Sequence, residues 1–179
     1  MPEVQEGQEV QEQLVKYIDE AYAMEQNVLR MLDGMIETSE DPEMRSALEE
    51  HKRETEEQAE RLKQRLAAHD ASPSMVKEAG GILGAMMKGV VDLARADKAG
   101  RNARDGYATE HMEIASYQLL ERVATLAGDP ETAAVARQNR AEEEAMARRI
   151  DQSWDKAAAL SLEQEGVASG GSVSGSTTD

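Results

Sequence analysis

"AGDPE", residues 127–131, repeats a helix start met once before in the chain, "SEDPE" at 39–43. In both, Asp stands at the N-cap, Pro at the first helical position and Glu in the first turn. That order satisfies the free amide donors of a helix start and sets negative charge against its positive end. The two Asp residues lie 129 − 41 = 88 positions apart. The same shift carries Met24 and Glu25 onto Met112 and Glu113, and Leu32 onto Leu120, without a gap. Two matching helical hairpins, 11–67 and 99–158, are the natural reading, and the short loop inside each makes its helices antiparallel.

Residues 68 to about 100 join the hairpins through a long connection that opens with "HDASPS" and contains an apolar stretch at 75–95. That stretch is expected to form a crossover helix. Its Gly81, Ala85 and Gly89 recur every four residues and allow close packing, on the chain's own bundle in the first place or on a second subunit; a homodimer is the expected assembly. One long link flanked by two short ones is the connectivity of ferritin-like bundles. The predicted fold is therefore all-α: a ferritin-like antiparallel four-helix bundle made of two repeated hairpins, with an additional crossover helix between helices 2 and 3. Residues 1–10 read as a flexible acidic N-terminus, 11–160 as the bundle, and 161–179 as a disordered Gly/Ser-rich tail.

Composition agrees with helices and narrows the partners. There is no Phe, one Trp and four Tyr in 179 residues, and the β-branched residues form no alternating runs. Thirty-six acids against twenty Lys and Arg give a formal charge of −16, which repels nucleic acid and anionic lipid. Without cysteine, any metal must be held by oxygen and nitrogen. No secretory signal layout and no membrane-length apolar run are found, so a soluble, cytoplasmic protein is expected.

The stretch "EHMEIASY", 110–117, places acids where core is expected. At about 100° per residue and with Tyr117 as origin, Glu110 falls near +20° and Glu113 near −40°, beside Ile114, Leu120 and Ala124. In the first helix Glu25 lies about 40° from the centre of the stripe formed by Leu14, Tyr17, Ala21, Met24, Val28 and Leu32. In the second, His51 is well inside the stripe and Glu54 at its flank; in the fourth, Glu142 and Glu143 straddle the line of Val135, Asn139, Met146, Ile150 and Ser153. Every helix thus offers a carboxylate at or beside the core. Carboxylates converging in an apolar interior need a neutralising charge, which divalent metals supply, and a carboxylate and imidazole set suits iron or manganese.

"EHMEIASY", "HKRETEEQAERL", the "EEE" of the fourth helix and "EAYAMEQNVLRML" resemble the bacterial YciE/YciF family of ferritin-like proteins over roughly residues 14–160. The resemblance implies a stress-associated bundle with a dinuclear centre. By analogy with rubrerythrin-like sites it implies Glu25, Glu110 and Glu113 as ligands, with Glu54 and Glu142 bridging or terminal and Glu143 an alternate. The chain departs from the superfamily pattern where Glu-x-x-His is expected: Glu57 and Ala145 follow Glu54 and Glu142. His51, one turn before Glu54, can offer nitrogen from the other direction, Asn139 only a weak ligand, and His111 belongs to the flank. An asymmetric or single-metal site stays open.

The resulting expectation is a metal-binding protein whose dinuclear iron or manganese centre oxidises Fe²⁺ or handles peroxide or dioxygen under stress, with Tyr117 hydrogen-bonding a ligand or donating an electron. The alternatives are a metal-free bundle serving as a structural or interaction module, which the missing histidines favour, and, less favoured, an iron-storage cage.

Overall fold

The computed structural model describes residues 2–74 and 98–167. Among them are five helices and no strand: α1 Pro2–Thr38, α2 Pro42–Ala68, α3 Lys98–Leu126, α4 Pro130–Asp151 and α5 Trp154–Gln164. Helix α1 packs along α2 and α3, α3 along α4 and α5, and α2 along α4. The expected crossover helix, with Gly81, Ala85 and Gly89, lies outside the described residues.

Both Asp-Pro-Glu starts form as read. Asp41 accepts the amide of Met44 at 2.8 Å, and Asp129 that of Thr132 at 2.9 Å, each with Pro at the first helical position. Asp129 also gathers Arg65 and His69 from the end of α2, at 3.1 and 2.8 Å, so one cap ties α4 to α2. Ahead of it α3 closes with Gly128 at φ +73°, where Asp129 donates its amide to Ala124. A side chain would strain that left-handed residue.

Helix α1 already begins at Pro2, so residues 2–10 continue it. Glu, Gln and Val there extend a helix already nucleated at the buried Leu14, and Gln11 donates to the carbonyl of Ala127 at 2.8 Å. At the other end the helix runs to Gln164, past the expected tail boundary at 161. The fourth helix breaks after Asp151, where the Ser153 hydroxyl donates to the Ile150 carbonyl at 2.8 Å. Helix α5 then folds back on α3, burying Ala157. Ser161 and Gln164 accept the amides of Gly100 and Ala99 at 2.7 and 3.1 Å.

The apolar core is built mainly from Leu14, Ile18, Ala21, Met24, Leu62, Leu66, Tyr117 and Leu120. A second cluster, Val28, Met31, Leu32 and Met35, fills the far half of α1. Between these clusters the interior turns polar.

Candidate metal centre

Glu25 from α1, His51 from α2, Glu110 and Glu113 from α3 and Glu143 from α4 are all buried at mid-bundle. Helical spacing puts them there: 110, 113 and 117 fall on one face of α3, and 139, 143, 146 and 150 on one face of α4. His51, Glu110, Glu113 and Glu143 each offer a ligand atom, and these atoms lie within 4.8 Å of one another. His51 Nε2 approaches Glu110 Oε1 at 3.1 Å and Glu143 Oε2 at 4.0 Å, but not in line for a hydrogen bond. Both ring nitrogens, Glu110 Oε2, Glu25 Oε2 and both oxygens of Glu113 and of Glu143 have no hydrogen-bond partner among the described residues.

Two of the expected residues stand outside. Glu54 points outward with its side chain 48 % exposed, touching the group only through His51 Nδ1 at 3.7 Å. The buried line of α2, from His51 through Thr55, Gln58 and Leu62, is centred about 70° from Glu54. On α4 the buried line includes Ala133 and Ala136, so it is centred near Glu143 instead of midway between the pair. Glu142 faces α2, where Arg61 and Gln58 donate to it at 2.8 and 3.1 Å. His111 is exposed and stacks on Tyr107 at 4.4 Å, away from the group.

A directed hydrogen-bond chain supports Glu25. Arg61, a donor only, donates a hydrogen bond to Asn139 Oδ1 at 2.5 Å. The Asn139 amide is thereby oriented to donate to the Tyr117 hydroxyl at 2.9 Å, and Tyr117 donates to Glu25 Oε1. Sequence reasoning set Asn139 aside as a weak ligand and passed over Arg61 altogether. The 88-residue shift that maps His51 onto Asn139 was the available signal that a second inward polar group mattered.

Electrostatics follows from burial. Glu143 is pushed up to about 10 by burial and then by the charges of Glu110 and Glu25. Glu113 is driven well above the usual carboxylate range by burial and by the charges of Glu143, Glu25 and Glu110. Glu25 rises to about 7, burial outweighing the Tyr117 hydrogen bond and the His51 charge. Burial opposes the charging of His51, yet the contact with Glu110 and its charge, with help from Glu54 and Glu143, carry it up to about 10. A group in this state takes up protons unless other cations take their place. Orphaned carboxylate oxygens, which are hard donors, and imidazole nitrogens, which are borderline ones, together fit a divalent first-row metal ion.

The helices form a ferritin-like bundle around a buried His and Glu group whose ligand atoms could hold a metal ion. The fold matches the bacterioferritin of Desulfovibrio desulfuricans, whose structure is described with a diiron site, at TM-score 0.71 and 16% identity over 97% of this chain and 96% of that one. It also matches a Xanthomonas campestris protein at TM-score 0.73 and 29% identity, covering 89% of this chain and 99% of that one. The E. coli stress protein YciF matches at TM-score 0.70 and 19% identity, over 84% and 96%. Residues 9–163 match the family model described as a domain of unknown function, DUF892, and the chain belongs to that family.

Proposed function

We propose that the buried group is a dinuclear iron or manganese centre held by Glu25, His51, Glu110, Glu113 and Glu143. The observation that carries this reading is the set of buried, unpartnered donor atoms contributed by all four long helices. Four carboxylates bring four negative charges, and two divalent ions with a neutral imidazole balance them. The likeness of the two Asp-capped hairpins supports a centre shared between duplicated halves. A centre of this kind would couple oxidation of Fe²⁺, the electron donor, to reduction of peroxide or dioxygen, the acceptor, which would suit a stress role such as the E. coli neighbour's description names. The Arg61, Asn139 and Tyr117 chain keeps Glu25 Oε1 in the accepting role.

One observation favours a metal-free module: His51 and Glu110 lie close enough to pair as ions. That pair still leaves the Glu113 and Glu143 oxygens without partners. Elemental analysis of protein prepared without chelator, followed by oxygen uptake on adding Fe²⁺, tests the proposal. Less than about one metal per two chains overturns it. Glu113→Ala should abolish metal retention; in a metal-free bundle it would change stability by only a few kcal/mol.

A further inference from the structure

A cavity of about 520 Å³ runs from the end of the bundle to His51 and Glu110. Its size is that of a small-molecule site, on the order of 300–1,000 Å³. The walls carry Met31, Met35, Met44 and Met146, with Leu48 and Ile150 between them. Methionine walls adapt to flexible apolar shapes. Metal ions and peroxide are strongly hydrated and gain nothing from such walls. Charged side chains, Asp41, Glu43, Arg149 and Lys156 among them, also line it. At the inner end Glu110 Oε2 and the ring nitrogens of His51, both side chains almost fully buried, lack hydrogen-bond partners among the described residues. Along α2 the interval from Met44 to His51 is two helical turns, about 10 Å.

We propose that this cavity binds an elongated apolar molecule, an alkyl chain with one uncharged hydrogen-bonding end, which lies against His51 and Glu110. A hydroxyl there can donate to the Glu110 carboxylate. As the substrate class of the metal centre this rests on the reading above. The occupancy of the cavity stands apart from it.

Decanol titrated by calorimetry into the full-length chain, with and without chelator, tests the inference. Saturable, stoichiometric uptake is expected in both conditions. Ala47 and Ala103 line the cavity without belonging to the metal group, so Ala47→Phe and Ala103→Leu should each weaken uptake on the order of tenfold while metal retention and melting temperature hold. If one filling variant fails to fold, the other decides. Absence of saturable uptake by the wild type overturns the inference, as does uptake that neither filling variant alters. Uptake that fades as chain concentration rises means that a second copy fills the space, and overturns it too. Uptake by a chain that retains no metal supports the cavity as a ligand site while removing the dinuclear centre.

Discussion

Glu143→Gln should have opposite effects on the metal-free and the metal-loaded protein. The side chain is fully buried and no hydrogen bond holds either oxygen. Burial and the charges of Glu110 and Glu25 push its folded pKa from 4.5 to about 10. Because the folded value is the higher one, its contribution to stability is complete below about 4.5 and is lost progressively as pH rises toward the folded value. At pH 7 the folded group is protonated and the unfolded one ionised. The penalty is then about 1.4 kcal/mol for each pH unit above 4.5, or about 3 kcal/mol. Any folded value above 7 leaves that figure unchanged. Glutamine has the same shape and does not titrate, so in chelator Glu143→Gln should stabilise the chain by up to about 3 kcal/mol at pH 7 and by almost nothing at pH 4.5. In a domain of this size that is roughly 6–12 °C in melting temperature. With Mn²⁺ or Fe²⁺ present the variant lacks an anionic ligand, and the metal-induced rise in melting temperature should shrink or vanish. Melts at both pH values, with chelator and with metal, read all four combinations. Destabilisation of equal size at both pH values in chelator, or an undiminished metal effect, would refute the reasoning.

Asp129→Ala removes a cap and the partner of Arg65 and His69, and should destabilise the chain by about 2–3 kcal/mol at pH 7 in urea titrations. Despite burial, the Thr132, His69 and Arg65 contacts hold the Asp129 carboxyl well below its usual range. Its stabilisation is therefore present above about pH 4 and fades as pH falls through the folded value, so the variant and wild type should converge in acid. Tyr117→Phe leaves Glu25 Oε1 and the Asn139 amide without their shared partner, and is expected to lower stability by about 1–3 kcal/mol in the same assay. Gly100→Ala places a methyl 2.6 Å from Ser161 Oγ. It should break the hydrogen bond from the Gly100 amide and expose the α5 amides to faster hydrogen exchange while metal retention is unchanged.

The parts of this fold that could be read in the sequence are those that depend on local periodicity. The two Asp-Pro-Glu caps form as expected because capping is settled within four residues. Glu110, Glu113 and Tyr117 share a buried face because their spacing alone puts them on one side of α3. Choosing between Glu142 and Glu143 required knowing which side of α4 meets the bundle. The small residues Ala133 and Ala136 decide that, while the larger Val135, which pulled the expected line the other way, is only partly buried. His51 and Glu54 present the same problem on α2: one turn of helix separates a side chain that is 2 % exposed from one that is 48 % exposed. The link from Arg61 through Asn139 to Tyr117 and Glu25 could not be read at all, since it joins four helices across sequence separations of 78, 22 and 92 residues. In a sequence, Arg61 is a surface cation. Its role appears only when Asn139 is found to need a donor on one side so that its amide can point to Tyr117 on the other. Periodicity says which residues face inward, but here the side chain that orients an inward residue sits at the surface of another helix. Exchanging Arg61 for Met should therefore loosen metal retention measured by chelator competition, although Arg61 touches none of the proposed ligands. Arg61→Lys, which keeps a donor, should restore part of it. Equal retention in all three chains would mean that the hydrogen-bond chain has no hold on Glu25.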